Sequence, residues 1–316
     1  MNLSAVEILK ARKNLEGVVY RTPLTYSRKL SEINGAEIYL KWENLQKTRS
    51  FKLRGAYNKI SSLTPEERSK GVITASSGNH ALAVAHVAKM MGIKATVFVP
   101  ETAPKTKVGP CRALEAEVVL KGANYDESLV YCKKMVSKTG ATYIPSFEDR
   151  KVIAGQGTIG CEILEDMPET DTIIVPVGGG GLISGIALWA KTVNPKIRVV
   201  GAQSTAAYTM YECFKAKKIV DIPVSPTIAD GLAGGISQTT LDLVLKYVDE
   251  IVLAKEEELK GAILWVLNNE RQIVEGSGAV GPAAVLQRKI RFERGEKVVI
   301  VISGGNIDME LLKLPE

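Results

Sequence analysis

A central stretch of the chain reads Ile173-Ile174-Val175-Pro176-Val177-Gly178-Gly179-Gly180-Gly181-Leu182, an apolar run followed by four consecutive glycines. A helical pattern over residues 181–192 begins at the last of these glycines. Because glycine has no side chain, successive backbone N–H groups can point at one anion, and the helix dipole favours the same charge. The stretch therefore predicts a strand, a phosphate-binding cup and a helix.

Two common phosphate motifs do not fit this stretch. A dinucleotide site needs G-x-G-x-x-G, but Ile183 occupies the third glycine position after Gly178, and the next strand ends at Gln203 rather than at a carboxylate. A P-loop needs Gly-Lys-Ser/Thr, which is absent. A glycine run that serves only tight packing stays open as an alternative at this point.

Outward from this stretch, short β-branched runs alternate with helical patterns over most of the chain. Several runs are uniformly apolar, as expected when helices cover both faces of a parallel sheet. The pattern predicts an α/β fold. Strands are expected at 72–75, 96–99, 118–121, 142–145, 173–177, 199–203, 251–254 and 298–302, and helices at 80–91, 125–137, 181–192, 255–268 and 279–289.

The composition is that of an ordinary globular protein of 316 residues, 45% hydrophobic and 24% charged. Its 41 basic and 35 acidic side chains leave a net charge of +6, spread along the chain, so nucleic acid is not an expected partner. The two histidines, His80 and His86, lack the i, i+4 spacing of a helical metal site. The longest uncharged run, 172–190, contains Pro176 and the glycines, which argues against a membrane span.

Cysteine usage and the N-terminus indicate a cytoplasmic protein. The four cysteines stand far apart without a C-x-x-C pair, as is typical of buried reduced thiols. Residues 1–13 are amphipathic and mixed in charge, unlike a signal peptide.

Three further motifs carry groups that could act chemically. In Ser50-Phe51-Lys52-Leu53-Arg54-Gly55, an aromatic neighbour and nearby cations would disfavour the ammonium form of the lysine and so favour an amine nucleophile, although a basic surface turn is the alternative. Thr74-Ala75-Ser76-Ser77-Gly78-Asn79-His80 runs from a strand into a helix, where free N–H groups could bind a carboxylate or simply be capped. Ser303-Gly304-Gly305-Asn306 follows the last strand.

Together and in this order, the four motifs resemble the pyridoxal-phosphate enzymes of the tryptophan-synthase-β-like fold (fold type II). The resemblance is closest to the branch that contains threonine dehydratases, the catabolic ones in particular, and serine racemases. It covers nearly the whole chain, including Val152-Ile153-Ala154-Gly155-Gln156-Gly157-Thr158 and Glu275-Gly276-Ser277-Gly278-Ala279. It implies two doubly wound domains with the cofactor between them: a large domain of residues 1–70 and 148–316, and a small substrate-binding domain of residues 71–147.

The resemblance also implies a role for individual residues. Lys52 is similar to the lysine that forms the Schiff base, with Phe51 beside the ring. Asn79 corresponds to the partner of the ring hydroxyl and Ser303 to the partner of the pyridine nitrogen. The phosphate cup corresponds to Gly178, Gly179, Gly180 and Gly181; the substrate site to Ser76, Ser77, Asn79 and His80; and the catalytic pair to Lys52 and Ser77.

The activity implied is threonine dehydratase (threonine ammonia-lyase), an enzyme of amino-acid catabolism that forms 2-oxobutanoate and ammonia from L-threonine and pyruvate from L-serine. Ser77 instead matches serine racemases, which use the lysine and this serine as bases on opposite faces of the cofactor. Leu129, in contrast, stands where the racemase pattern has an arginine. A serine racemase or serine dehydratase is therefore the alternative. From another class, a ligand-binding regulator of the same fold is an alternative that the retained Lys52 argues against.

Cations, effectors and assembly follow from the same resemblance. Racemases bind a divalent cation through acidic residues where this chain has Gln203 and Thr209, so no metal is expected. The chain ends at Glu316, and no C-terminal isoleucine-binding domain is expected. A homodimer or homotetramer is expected.

Overall fold

The computed structural model describes residues 3–308, apart from the side chains of residues 105 and 106, and its strands form two separate sheets. The strands are β1 (Leu24–Tyr26), β2 (Glu37–Trp42), β3 (Val72–Ala75), β4 (Ala95–Val99), β5 (Glu117–Leu120), β6 (Thr142–Tyr143), β7 (Thr172–Pro176), β8 (Arg198–Ser204), β9 (Glu250–Ala254) and β10 (Lys297–Ile302). The six-stranded sheet has the order β1-β2-β10-β7-β8-β9, and the four-stranded sheet the order β5-β4-β3-β6.

Helices join most of these strands and cover the sheets. They are α1 (Ala5–Asn14), α2 (Arg28–Asn34), α3 (Lys52–Ile60), α4 (Pro65–Lys70), α5 (Asn79–Met91), α6 (Lys105–Ala113), α7 (Tyr125–Thr139), α8 (Arg150–Asp166), α9 (Gly181–Val193), α10 (Thr209–Ala216), α11 (Gln238–Tyr247), α12 (Glu256–Glu270) and α13 (Gly276–Leu286). Short 3₁₀ turns lie at Glu43–Leu45 and Asp230–Leu232.

The parallel α/β arrangement predicted from the apolar runs is confirmed. In the six-stranded sheet, neighbouring strands are parallel from β2 through β10, β7 and β8 to β9. In the four-stranded sheet, all neighbouring strands are parallel. The sequence analysis did not predict β1 or β2, which pair with each other in the antiparallel sense at the sheet edge. All eight predicted strands are present within two residues at each end.

Three helices, α3, α8 and α9, pack closely together at glycines. A Cβ atom on Gly155 of α8 would lie 2.6 Å from the carbonyl oxygen of Arg54 in α3. One on Gly185 of α9 would lie 2.4 Å from the carbonyl oxygen of Ile153 in α8. Because these neighbours are backbone atoms that cannot move aside, only glycine permits the contacts. The helix α8 is thereby fixed between α3 and α9.

The four-stranded sheet takes all its strands from residues 72–143, and α8 begins a new stretch at Arg150. The division into a large domain of residues 1–70 and 148–316 and a small domain of residues 71–147 stays a prediction. All four cysteines are free and buried, as the sequence analysis predicted. Among the described helices, none has the length and apolar character needed to cross a bilayer.

Candidate active site

The four motifs meet around one cavity of about 450 Å³. Two of them follow β7 and β10 of the six-stranded sheet, one follows β3 of the four-stranded sheet, and one begins α3. Carboxyl ends of parallel strands are where open α/β sheets bind ligands. Every site residue predicted from the sequence lines this cavity, namely Phe51, Lys52, Ser76, Ser77, Asn79, His80, Gly178, Gly179, Gly180, Gly181 and Ser303.

Lys52 is the first residue of α3, and its side chain reaches the cavity. Its Nζ atom donates a hydrogen bond to the carbonyl oxygen of Ser146 at 2.9 Å and lies 5.0 Å from the centre of the Phe51 ring. Burial lowers the pKa of the Lys52 ammonium to about 8, although the negative charge of Glu275 opposes the shift. Roughly a tenth of the amine is then neutral at pH 7, and the neutral form is the nucleophile and base.

A buried ionic cluster holds the first turn of α3 in place. Arg54 forms ion pairs with Glu43 at 2.7 Å and with Glu162 at 2.6 Å, and Lys41 forms a third with Glu162 at 2.7 Å. These side chains are at most 1% exposed. Two buried cations and two buried anions therefore pair with one another, and one of them, Arg54, lies two residues beyond Lys52 on α3.

The four glycines form the turn between β7 and α9. Gly180 has a φ of +88°, which side-chain-bearing residues rarely adopt. A Cβ on Gly181 would lie 2.6 Å from the carbonyl oxygen of Phe147, and one on Gly179 would lie 2.6 Å from the Phe147 ring. The first N–H groups of α9 have no partner within the helix, so they are available to an anion beside these glycines.

Asn79 takes part in a network with Glu275 and Asn306. Its Nδ2 atom donates to Glu275 Oε1 at 2.7 Å, and its Oδ1 atom accepts from Asn306 Nδ2 at 2.7 Å. Burial raises the pKa of Glu275 to about 7; the charge of Asp230 adds to this shift, and the hydrogen bond from Asn79 opposes it. The network fixes the orientation of the Asn79 amide at the edge of the cavity.

His80 lies in the first turn of α5 and is 3% exposed. Its Nε2 atom lies 2.9 Å from the carbonyl oxygen of Ile144, which can only accept, so we assign the ring proton to Nε2. Burial and the charge of Lys52 lower the pKa of His80 to about 3. The ring is therefore neutral, and it offers a substrate no positive charge.

The serines that line the cavity are held by backbone contacts. The Ser76 N–H donates to the carbonyl oxygen of Phe98 at 3.1 Å, and the Ser303 carbonyl oxygen accepts from the Phe51 N–H at 3.1 Å. The Ser303 contact places the end of β10 beside the residue that precedes Lys52. Ser303 is only 2% exposed, and it lines the cavity.

Gln203 stands where the resemblance places an acidic metal ligand in racemases. Its Nε2 atom donates to the carbonyl oxygen of Val177 at 3.0 Å, and its Oε1 atom accepts from the Tyr211 N–H at 2.7 Å. A glutamate could not donate to that carbonyl. The amide thus ties the end of β8 to the residue before the glycine cup. No three His, Cys, Asp or Glu side chains of the described chain come together as a metal site would require.

Sequence reasoning missed five residues that line this cavity. Ser146 acts through its backbone carbonyl, for which no side-chain signal exists, and Phe147 is one aromatic residue in a loop. Glu275 precedes a glycine-rich helix, and a carboxylate at that place was a usable signal. Lys107 and Asp230 line the cavity from separate segments and gave no local pattern.

The residues of the cavity fit pyridoxal phosphate. The glycine turn offers free N–H groups to a phosphate ester, and the Cβ positions of Gly179 and Gly181 are closed by Phe147. The Lys52 amine of lowered pKa is suited to an aldehyde. Ser303 is buried and lines the cavity, and its hydroxyl is suited to a ring nitrogen.

Comparison with known families gives the same answer. Residues 15–304 match the family described as "Pyridoxal-phosphate dependent enzyme". The chain belongs to this family. It is thus a pyridoxal-phosphate-dependent enzyme, and the cofactor expected from the resemblance is confirmed.

Individual relatives of this family member cover almost its whole length. An L-threonine ammonia-lyase of Thermotoga maritima is 48% identical over 307 residues, which are 97% of this chain and 76% of the relative. The catabolic L-threonine dehydratase of Escherichia coli K12 is 43% identical over 305 residues, 96% of this chain and 93% of the relative. The structure of maize serine racemase superposes with a TM-score of 0.95 at 37% identity, covering 99% of this chain and 96% of that one. The predicted fold type II is confirmed.

Proposed function

We propose that this enzyme is a threonine ammonia-lyase that converts L-threonine to 2-oxobutanoate and ammonia, and L-serine to pyruvate and ammonia. The observation that carries the proposal is the position of the Lys52 amine, with its lowered pKa, in the same cavity as the glycine cup and the Ser76–His80 loop. The names of the Thermotoga and Escherichia relatives support the same reaction.

Residues of the chain share the binding tasks. The N–H groups at Gly178–Gly181 would hold the phosphate of the cofactor, and Asn79 and Ser303 would hold the polar groups of its ring. The neutral Ser303 hydroxyl does not keep the ring nitrogen protonated, which suits elimination better than chemistry through a long-lived carbanion. The N–H groups and hydroxyls of the Ser76–His80 loop would bind the substrate carboxylate, since the His80 ring is neutral.

Lys52 moves the proton. When bound, pyridoxal phosphate supplies an electron-withdrawing ring that makes the α proton of the substrate acidic. Lys52 Nζ takes this proton, the electron pair of the α C–H bond forms the Cα–Cβ double bond, and the β C–O bond breaks. Lys52 Nζ then returns the proton to the departing oxygen, which leaves as water. Hydrolysis of the released 2-aminobut-2-enoate gives 2-oxobutanoate and ammonia.

The test compares Lys52→Ala with Lys70→Ala, which changes a surface lysine that is paired with Glu66. We expect wild type and Lys70→Ala to form 2-oxobutanoate from L-threonine and to carry the visible absorbance of the bound cofactor. Lys52→Ala should lose this absorbance and at least about 10³-fold in turnover, since it loses both base and tether. Turnover that survives in Lys52→Ala, or a wild type inactive on both L-threonine and L-serine, refutes the proposal.

Serine racemase is the second candidate, and Ser77 favours it. Ser77 lines the cavity, and the maize serine racemase supports the reading through its similar fold. Leu129, at the position of a racemase arginine, packs against an apolar cluster of the four-stranded sheet. Chiral chromatography of the reaction with L-serine separates the two candidates. D-serine formed by wild type and lost in Ser77→Ala, with elimination retained, establishes racemisation; no D-serine in either excludes it.

Location, assembly and closure complete the proposal. We propose a cytoplasmic homodimer or homotetramer, supported by the four free cysteines and by family resemblance. We also propose that the small domain, residues 71–147, closes on the substrate carboxylate. Light scattering of the purified protein tests the assembly, and structures with and without substrate test the closure. A monomer, or identical free and liganded structures, would contradict these points.

A further inference from the structure

Two oppositely charged side chains meet at the edge of the cavity, Lys107 and Asp230. Lys107 lies on α6, beside the four-stranded sheet, and Asp230 begins the short turn Asp230–Leu232 next to the glycine cup. A Cβ on Gly178 would lie 3.0 Å from the carbonyl oxygen of Gly231, so this turn and the cup are in direct contact. The two side chains form an ion pair, and both line the cavity. At 35% and 55% exposure, they stand at its solvent end.

The charges of this pair reach the interior of the cavity. Glu275 is 6% exposed, and the charge of Asp230 raises its pKa while the charge of Lys107 lowers it. The two influences oppose each other at the same buried carboxylate. A charged group on a ligand in this cavity would feel both influences in the same way, because electrostatic effects are stronger where water is excluded.

The proposed elimination leaves this pair without a task. The phosphate cup, the Ser76–His80 loop and Lys52 account for the cofactor phosphate, the substrate carboxylate and the α proton. Glu275 accepts the hydrogen bond that orients Asn79. Besides Asp308, at the end of the described chain, Lys107 and Asp230 are then the charged lining residues to which no role has been given. The substrate side chain is the one part of the amino acid that still lacks a recognition element.

We propose that the Lys107–Asp230 pair selects against amino acids with a charged side chain and so confines the enzyme to neutral β-hydroxy amino acids. The inference rests on the proposed ammonia-lyase function. A side-chain carboxylate would be attracted by Lys107 and repelled by Asp230, and a side-chain ammonium the reverse. In each case the repulsion offsets part of the attraction, and the charge also loses part of its hydration on entering.

Removing one partner should open the site to one sign of charge. In Asp230→Asn, Lys107 is left unpaired. The kcat/KM for L-threo-3-hydroxyaspartate, which has both a β-hydroxyl and a side-chain carboxylate, should then rise relative to that for L-threonine. In Lys107→Met, Asp230 is left unpaired, and the kcat/KM for 2,3-diaminopropionate should rise instead. The expected gain in the ratio of kcat/KM values is about three- to tenfold, as for one partly exposed charge.

The measurement is kcat/KM for the three amino acids, joined by calorimetric titration with L-aspartate, which has no leaving group. L-Aspartate should bind more tightly to Asp230→Asn and more weakly to Lys107→Met. Lys94→Met and Glu117→Gln, which break an exposed ion pair away from the cavity, are the matched controls and should leave all ratios unchanged. Opposite shifts in the two cavity variants support the proposal.

The inference and the proposed function fail in different ways. Wild type without 2-oxobutanoate formation refutes the function. If wild type acts on L-threonine, the proposed function stands. The proposed role of the Lys107–Asp230 pair is then refuted if the kcat/KM ratios and L-aspartate affinities do not move in opposite directions in Asp230→Asn and Lys107→Met. Because the two variants should shift the substrate preference in opposite directions, a general loss of stability cannot produce the same result.

Discussion

The Nζ atom of Lys52 lies 2.9 Å from the carbonyl oxygen of Ser146, and the next residue, Phe147, packs against the glycine cup. One loop therefore touches both the amine and the phosphate-binding turn. The carbonyl accepts a hydrogen bond from either protonation state of the lysine and adds no full charge. The pKa of Lys52 is thus set mainly by burial, with Glu275 opposing.

The pH dependence of cofactor uptake follows from that pKa. Only the neutral amine attacks an aldehyde, so the rate at which the apo-protein takes up pyridoxal phosphate should rise about tenfold per pH unit below pH 8 and level off above it. Growth of the visible absorbance in stopped flow measures this rate. A rate that keeps rising toward pH 10 would mean that Lys52 has the pKa of an ordinary lysine.

The same shift predicts an effect on stability. Because the folded-state pKa of Lys52 is lowered below 10.5, the ammonium destabilises the fold below pH 8, and this cost disappears as pH rises from about 8 to 10.5. We expect apo Lys52→Met to be more stable than the wild-type apo-protein by about 1 kcal/mol at pH 7, and by less at pH 10. Urea unfolding at the two pH values measures the difference. A stability gain that does not shrink at pH 10 would point to packing rather than charge.

Gly181→Ala should damage the cup. The new Cβ would meet the Phe147 carbonyl oxygen at 2.6 Å, and backbone lies on both sides of the contact. We expect a loss of about 1–3 kcal/mol in stability or in cofactor binding. Gly261→Ala in α12 is the matched control, because the new Cβ would have no described atom within 4 Å beyond its own stretch of helix; it should stabilise the protein by up to about 1 kcal/mol. Cofactor titration and urea unfolding measure both effects, and equal behaviour of the two variants would contradict the tight cup.

Arg54→Met should strongly destabilise the protein. Burial pushes the pKa of Glu162 upward, but the charges and hydrogen bonds of Arg54 and Lys41 outweigh it and lower the pKa. In wild type this carboxylate therefore stabilises the fold above pH 4.5, and the contribution is lost as pH falls. When Arg54 is removed, both Glu43 and Glu162 lose a buried ion-pair partner. We expect the free energy of unfolding to fall by about 3–5 kcal/mol.

This cost should grow as pH rises above the unfolded carboxylate pKa, because burial of Glu162 is then opposed by Lys41 without the help of Arg54, and burial favours the protonated form in the folded state. Urea unfolding between about pH 5 and pH 8 measures the trend. Lys70→Met, which removes an exposed i, i+4 pair with Glu66, is the control and should cost less than about 0.5 kcal/mol. A similar small loss for Arg54→Met would show that the cluster contributes little.

Elements with a strong local signal were predicted well. β3 has the predicted bounds, Val72–Ala75, because a short apolar run that is buried on both faces is typical of a central parallel strand. The longest described helix, α8, was not predicted at all. Its glycines at 155, 157 and 160 lower helix propensity, and they are present because α3, α9 and α1 approach there. That reason exists only in the packed protein.

β2 was missed for a related reason. Its sequence Glu37-Ile38-Tyr39-Leu40-Lys41-Trp42 contains a lysine that patterns assign to solvent, yet Lys41 is fully buried beside Glu162. The two residues are 121 positions apart in the chain. A charge can be buried only where a distant partner meets it, so no local pattern could predict this strand.

The order of the four motifs along the chain, with a lysine, an Ser-Gly-Asn turn, four glycines and a terminal serine, was enough to indicate the cofactor and the reaction class. The local sequence could not predict the environment of those groups. That environment includes a neutral His80, a raised pKa of Glu275, the carbonyl oxygen that accepts a hydrogen bond from Lys52, and the ion pair between Lys107 and Asp230. The sequence determines which residues are present. Desolvation and charge pairing depend on which distant atoms surround a group and exclude water, and only folding brings those atoms together.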